Sequence, residues 1–243
     1  MSDWAEFYNK IRDTTWPDCK QITDFVKLPS NIQIEIVRDH LFDKKYEILS
    51  NKTKHTINGY PTHLMFFEEL KQLIGRNNCL MNSQDVVFLY SILWSKRPNN
   101  VLEIGRFCGW STAIIFGALE DSNHGNLYTV DIKDNTNPYV RSLVESRTTF
   151  VTDTSKNILN CSIISQQKYE VFFIDGDHTQ DAVLTDLHNS YKLSTDESWF
   201  LMHDTDMTEV NTAIDIFLQQ TVDVTDCGIY GEKIRLLHKK ELK

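Results

Sequence analysis

The chain has 243 residues, 41% of them hydrophobic, and a formal net charge of −9. That length suits one large α/β domain with an appendage. The acidic balance, with no long Lys/Arg block, excludes duplex nucleic acid or an anionic membrane surface as the main partner, and no run approaches the roughly 18–20 apolar residues of a membrane span.

The first residues, MSDWAEFYNKIRD, carry acids early and lack the apolar stretch of a signal peptide. Five cysteines, Cys19, Cys79, Cys108, Cys161 and Cys227, are scattered without a CxxC pair. This pattern suits reduced thiols in a cytoplasmic protein.

Residues 1–80 are expected to form a mainly helical N-terminal extension. Apolar residues recur at helical spacing in Trp4, Phe7, Tyr8 and Ile11. They do so again through Ile32, Ile34, Ile36, Val37, Leu41 and Phe42, although the three isoleucines also alternate like a strand. A third helix is expected over Thr62–Gly75, with Gly75 as its C-terminal cap. No catalytic motif lies here. Such a layer can cover a sheet, shape a pocket or support a homodimer.

From Asn82 the pattern becomes regular. Ser83 is positioned to cap a helix containing Val86, Val87, Leu89, Tyr90, Leu93 and Trp94. Strand 1 is expected at Val101–Ile104, and a helix follows to about Leu119. Strand 2 is expected at Leu127–Asp131, a helix at Pro138–Ser146, and strand 3 at Thr148–Thr152. A helix over Ser155–Ser165 and strand 4 at Val171–Asp175 come next. A helix over Asp181–Leu193, strand 5 at Ser198–Met202 and a helix over Thr208–Gln219 follow. Two late strands, Val222–Val224 and Ile229–His238, close the chain. Apolar strands alternating with helices indicate a parallel sheet covered on both faces. Two closing strands without room for a helical crossover should form an antiparallel hairpin at the edge. The expected fold is a Rossmann-like, doubly wound, seven-stranded α/β sheet over residues 81–243.

Between strand 1 and its helix lies VLEIGRFCGWST. Gly105 and Gly109 let backbone approach a ligand without a Cβ clash, and Ser111 and Thr112 supply hydroxyls at the helix start. The GxxxG spacing differs from the GxGxxG of dinucleotide-binding turns, which counts against NAD. Asp131, ending strand 2 in LYTVDIKD, can accept hydrogen bonds from ribose hydroxyls. Asp153, ending strand 3, can face an adenine amino group or cap the next helix.

These stretches, with FVTDTS, FFIDGDHTQDAVLTDL and LMHDT, resemble the successive motifs of class I S-adenosylmethionine-dependent methyltransferases. The resemblance is strongest to the small-molecule O-methyltransferase family that includes the macrocin-type sugar enzymes. It implies an S-adenosylmethionine site formed by Glu103, Gly105, Gly109, Ser111, Thr112, Asp131, Asp153 and Asp175, with Glu103 supporting the methionine end or the elbow itself. It also implies methylation of a hydroxyl on a small molecule, such as a sugar or another polyhydroxylated metabolite.

Asp175, Asp177 and His178 follow strand 4, and His203, Asp204 and Asp206 follow strand 5. Neighbouring parallel strands lie about 5 Å apart, so the two loops can converge on one cation. Unpaired acids in one place would repel, and a divalent cation removes that cost. An oxygen-rich site suits Mg2+, or Mn2+. The resemblance implies Asp175 and Asp204 as ligands, with His203 as a third. Asp177, His178 and His203 are the candidates for proton transfer, His178 by its near-neutral pKa. His203-Asp204 stands where some relatives have two consecutive acids or Asp-Asn, and Glu197-Ser198 where Gly-Gly is frequent. Asp186 is a candidate tether for the loop carrying His178. Two other readings are an NAD-linked oxidoreductase, which the elbow spacing disfavours, and a non-catalytic nucleoside-binding domain.

Overall fold

The computed structural model describes residues 74–75 and 79–240. The helices expected around Trp4 and Ile32 lie outside the described residues. Of the helix expected over Thr62–Gly75 only the end is described: Ile74 is helical, and Gly75 adopts φ +91°. The chain divides into two units, Met1–Asn77 and Asn78–Lys243, and the second carries everything that follows.

Helix α1 spans Ser83–Lys96. Its cap is Asn82, one residue before the expected Ser83, and the Asn82 side chain accepts a hydrogen bond from the Asp85 amide. Both are good capping residues, and the first to satisfy an orphan amide of the first turn defines the start. Strand β1 follows at Asn100–Ile104, then α2 at Trp110–Ser122 and β2 at Asn126–Asp131. Helix α3 covers Pro138–Val144, with proline at its start, and β3 covers Thr148–Thr152.

The helix expected over Ser155–Ser165 is not continuous. A 3-10 turn occupies Ser155–Asn157, and α4 is the single turn Ser162–Ser165. Ile158 and Ile164, the two fully buried side chains of this segment, stand six positions apart, a spacing that no continuous helix face supplies. Strand β4 runs Tyr169–Ile174, α5 Gln180–Leu193, β5 Ser194–Met202 and α6 Thr208–Gln220. The closing strands are β6, Val224–Tyr230, and β7, Ile234–Lys239. The late apolar run Ile229–His238 is thus two strands, divided by a turn at Gly231.

The seven strands are ordered β3-β2-β1-β4-β5-β7-β6. The pairs among β1 to β5 are parallel, and β7 runs antiparallel to both β5 and β6. The strand order turns between β1 and β4, running outward to β3 on one side and to β5 on the other, and the carboxyl ends of these five parallel strands open into one crevice where such sheets take ligands. One face of the sheet, with Leu102, Ile104, Phe172, Ile174, Phe200 and Met202, packs on α5 and α6 in a continuous core. Phe172 stacks on Phe200, with ring centroids 4.9 Å apart. Glu103 and Thr129 join α2 through its Ser111 and Thr112 on the opposite face. Among the described residues no helix is long and apolar enough to cross a membrane.

Candidate active site

A cavity of about 1070 Å³ opens at the strand ends. It is lined by the elbow after β1, the ends of β2 and β3, and the loops after β4 and β5. The volume exceeds the usual range for one ligand and suits two reactants side by side.

The elbow is closed from behind. Glu103 is fully buried, and its carboxylate accepts hydrogen bonds from the hydroxyls of Ser111 (2.6 Å), Thr112 (2.7 Å) and Thr129 (2.6 Å). Burial raises its pKa, while the three hydroxyls and the nearby Arg106 oppose that rise. Glu103 and Thr112 therefore do not line the cavity. They hold the elbow in place, whereas Gly105 and Ser111 line the cavity. Of the two roles expected of Glu103, the geometry places it beneath the elbow. Gly109 caps α2 with φ +92° and is packed against Val140 of α3.

Asp131 is tied to the same elbow. Its Oδ2 accepts hydrogen bonds from the Arg106 and Phe107 amides at 2.9 and 2.7 Å, and its Oδ1 accepts one from the Lys133 amide at 3.0 Å. Asp153 Oδ1 accepts hydrogen bonds from the Thr154 amide and Asn157 Nδ2, so it acts as a local cap, and the residue also lines the cavity. Arg106, a buried cation that no motif singled out, runs under the elbow. Its Nε donates to Thr136 Oγ1, and its Nη1 donates to the Thr129 and Val151 carbonyls. It joins the elbow to β2, β3 and the loop after β2.

Across the cavity the loops after β4 and β5 meet. Oxygens of Asp175 and Asp204 and a ring nitrogen of His178 lie within 4.8 Å of one another, on side chains that all line the cavity. His178 Nε2 is 3.5 Å from Asp175 Oδ1 and 3.4 Å from Asp204 Oδ2, yet it is buried without a hydrogen bond among the described residues. Asp204 adopts φ +52°, a left-handed conformation that aspartate accepts at modest cost and that recurs at functional sites. Asp177 is exposed, and its Oδ1 accepts a hydrogen bond from the Thr179 amide.

His203 lies against this trio and also lines the cavity. It is 3% exposed, with Nδ1 at 3.3 Å from Asp175 Oδ1 and 3.4 Å from Asp204 Oδ1. Burial opposes a charge on the ring, but the carboxylates of Asp175, Asp204 and Asp85 outweigh it and push the pKa up to about 11. Burial likewise works against ionised Asp175, and its histidine neighbours hold its pKa down at about 2. The ring nitrogen that converges with the Asp175 and Asp204 oxygens belongs to His178, while His203 lies against both acids through Nδ1. Lys233 Nζ adds a second cation, 2.9 Å from Asp206 and 3.5 Å from Asp204. The acids are thus already compensated, and repulsion among them creates no need for a metal.

The donor set still fits a divalent cation: two carboxylates and an orphaned imidazole nitrogen converge on a cavity wall. Sequence reasoning missed Asp85 and Lys233. Asp85 reaches Lys233 across 148 positions, with no motif to announce the contact.

Residues 102–205 match a family model described as a methyltransferase domain. The O-methyltransferase from Bacillus cereus, solved with S-adenosylhomocysteine, is similar at 16% identity with a TM-score of 0.59, covering 82% of this chain and 98% of its own. TomG is an O-methyltransferase from Streptomyces achromogenes involved in tomaymycin synthesis and solved with S-adenosylmethionine. It is similar at 14% identity with a TM-score of 0.57, covering 84% of this chain and 99% of its own. An S-adenosylhomocysteine-bound methyltransferase from Podospora anserina gives 13%, 0.56, 83% and 97% for the same measures. No curated protein matches the sequence. The solved structures show the fold. The matched segment, 102–205, runs from β1 to the loop after β5 and is similar to a methyltransferase domain over less than half of the chain.

Proposed function

We propose that the protein is an O-methyltransferase of a small hydroxylated acceptor, a sugar or another polyhydroxylated metabolite. In this reading Met81–Lys243 is the catalytic domain and residues 1–80 are an appended extension. The observation that carries it is the placement of Asp175, His178 and Asp204 on the wall of the cavity that the elbow, Asp131 and Asp153 also line. O-methyltransferases among the similar structures support the choice of oxygen as acceptor.

S-adenosylmethionine supplies an electrophilic sulfonium methyl, so no covalent enzyme intermediate is required. Gly105 and Ser111 line the wall where the donor would lie, and Asp131 and Asp153 offer carboxylate oxygens to its adenosine. The walls hold donor and acceptor in line, which is the main contribution a protein can make to such a displacement. Asp175, His178 and Asp204 would hold a divalent cation, which lowers the pKa of a bound hydroxyl. Proton removal from the acceptor falls to the more exposed Asp177 where His178 Nε2 ligates the cation, and to His178 where it does not.

A second reading keeps the chemistry without a metal. It is favoured by the charge compensation that His203 and Lys233 already provide. His178 then stands between the two carboxylates as general base. The Asp175 carboxylate draws its pKa upward, so the neutral, base-competent form is favoured on the alkaline side.

The test is calorimetric titration with S-adenosylmethionine and with NAD, followed by radiolabelled methyl transfer to a panel of sugars, glycosides and catechols, with and without EDTA. S-adenosylmethionine binding and transfer to a hydroxyl are expected. NAD binding in its place would overturn the proposal, as would transfer to nitrogen or carbon acceptors only.

A further inference from the structure

Asp85 lies in the first turn of α1 and is fully buried. Its Oδ1 accepts hydrogen bonds from the Glu232 amide (2.8 Å) and the Lys233 amide (3.1 Å) in the β6–β7 turn. Its Oδ2 accepts one from Asn82 Nδ2 (2.6 Å) and faces His203 Nε2 at 3.5 Å. One carboxylate thus joins a helix start, a hairpin turn and the loop after β5. We propose that Asp85 is a positioning residue for the acid cluster: it fixes the His203 ring so that Nδ1 stays aimed at Asp175 and Asp204, and it holds the turn that carries Lys233.

The two ring nitrogens of an imidazole point in fixed directions, so anchoring one fixes where the other aims. His203 Nε2 is buried and makes no hydrogen bond among the described residues, so the Asp85 carboxylate 3.5 Å away is the polar group it faces. Without a carboxylate at Asp85, the ring would keep its two acids on one side and nothing on the other. A buried carboxylate in turn requires partners, and Asp85 has two amides, one side-chain amide and the imidazole. Gly231 shows how tightly the turn is drawn down. It adopts φ +61°, and a Cβ there would overlap Asp85 Oδ1. Lys233 follows two positions later with its ammonium on Asp204 and Asp206. The His203 ring and the Lys233 ammonium, which both meet the acids, are therefore both set by one residue on α1, 90 positions before Asp175.

The consequence for turnover rests on the methyltransferase reading, whereas the anchoring of the ring does not. The test uses the full chain labelled with 15N-histidine, and His203→Gln identifies the His203 ring signals. In Asp85→Asn the Nε2 N–H signal is expected to shift or be lost to exchange. S-adenosylmethionine affinity should stay within threefold, and kcat for an acceptor found in the panel should fall 10–100-fold with KM within threefold. Asn82→Ala removes another partner of the same carboxylate without touching His203. It should lower the melting temperature and leave both the ring signals and kcat in place. If Asp85→Asn does not fold, Gly231→Ala takes its part, since its Cβ displaces the Asp85 carboxylate, and it should move the ring signals and kcat in the same direction. Unchanged His203 signals in these variants would overturn the proposal. So would full turnover in Asp85→Asn, or an equal loss of kcat in Asn82→Ala. Intact His203 anchoring in a wild type that methylates no acceptor would overturn the methyltransferase reading alone.

Discussion

Gly105 and Asp175 touch across the base of the cavity so closely that a Cβ on Gly105 would overlap the Asp175 carbonyl oxygen. The donor elbow and the acid cluster are therefore one packed unit, with the Asp175 amide also donating to the Ile104 carbonyl. Gly105 adopts φ +92°, where an L side chain is strained by about 1–2 kcal/mol before any overlap. Gly105→Ala should destabilise the domain by roughly 2–4 kcal/mol, the strain plus a typical overpacking cost. It should also weaken S-adenosylmethionine binding, because the loop bearing Asp175 must move. Urea unfolding and calorimetry read the two effects, and wild-type values for both would refute the coupling.

Asp175 and Asp204 separate the metal reading from the metal-free one. Asp204→Ala removes one convergent oxygen and should lower turnover by a factor of at least ~100 while S-adenosylmethionine still binds, because its carboxylate faces His178, His203 and Lys233, which lie outside the elbow. Asp175→Ala should do the same and cost stability as well, about 3–5 kcal/mol, because it strips a counter-charge from buried His203. EDTA then decides the mechanism. Loss of activity in EDTA, restored by Mg2+ or Mn2+, supports a cation on Asp175, His178 and Asp204. Full activity in EDTA, with both variants still inactive, selects His178 acting without metal.

The sheet was legible in the sequence because its strands are short apolar runs ending in turn residues. Thr148–Thr152 and the start of α6 at Thr208 fall where the pattern places them. The segment after β3 misled for a physical reason. Its side chains suit a helix, but Thr154 and Asp153 bond the backbone and Asn157 locally, and this competes with a continuous helical ladder. The acids of the site were visible because they follow apolar strands. Their charge balance was not, because it depends on Asp85 and Lys233, which reach the cluster only through the fold. His203 shows that gap: a histidine beside an aspartate reads as a ligand, and nothing near it in the sequence announces the Asp85 carboxylate 3.5 Å from its Nε2.

His238 predicts an acid-side loss of stability. It is buried in β7, stacks on Trp199 with ring centroids 3.7 Å apart, and has no hydrogen-bond partner for either ring nitrogen among the described residues. Burial, with Lys240 and Lys96 nearby, lowers its pKa to about 4. The unfolded chain takes up its proton near pH 6.5, while the folded chain does so only near pH 4. Stability is therefore fully present above pH 6.5 and falls as pH drops toward 4, by at most about 3 kcal/mol from this residue. His238→Phe keeps the ring on Trp199 and removes the titration. Its unfolding free energy should be flatter than that of wild type between pH 7 and pH 4, and an unchanged slope would refute the assignment.

Asp186 carries the opposite sign. It is buried on α5 against the Gly176 backbone, and burial raises its pKa to about 6. Its Oδ1 has no hydrogen-bond partner among the described residues. The unfolded chain releases this proton near pH 3.8, so between that point and about pH 6 the folded state holds a proton the unfolded state has lost. Stability from this residue is greatest below pH 4 and declines as pH rises to 6, beyond which the cost of a buried carboxylate is constant. Asp186→Asn removes that cost. It should raise stability near pH 7 by on the order of 1–3 kcal/mol and give no gain at pH 4. The residue also borders the cavity beside the loop of Asp175, so the gain should accompany an unchanged or slightly weaker S-adenosylmethionine affinity. Urea titrations of wild type and variant at pH 4 and pH 7 measure the difference directly, and equal effects at both pH values would show that Asp186 is not the titrating group.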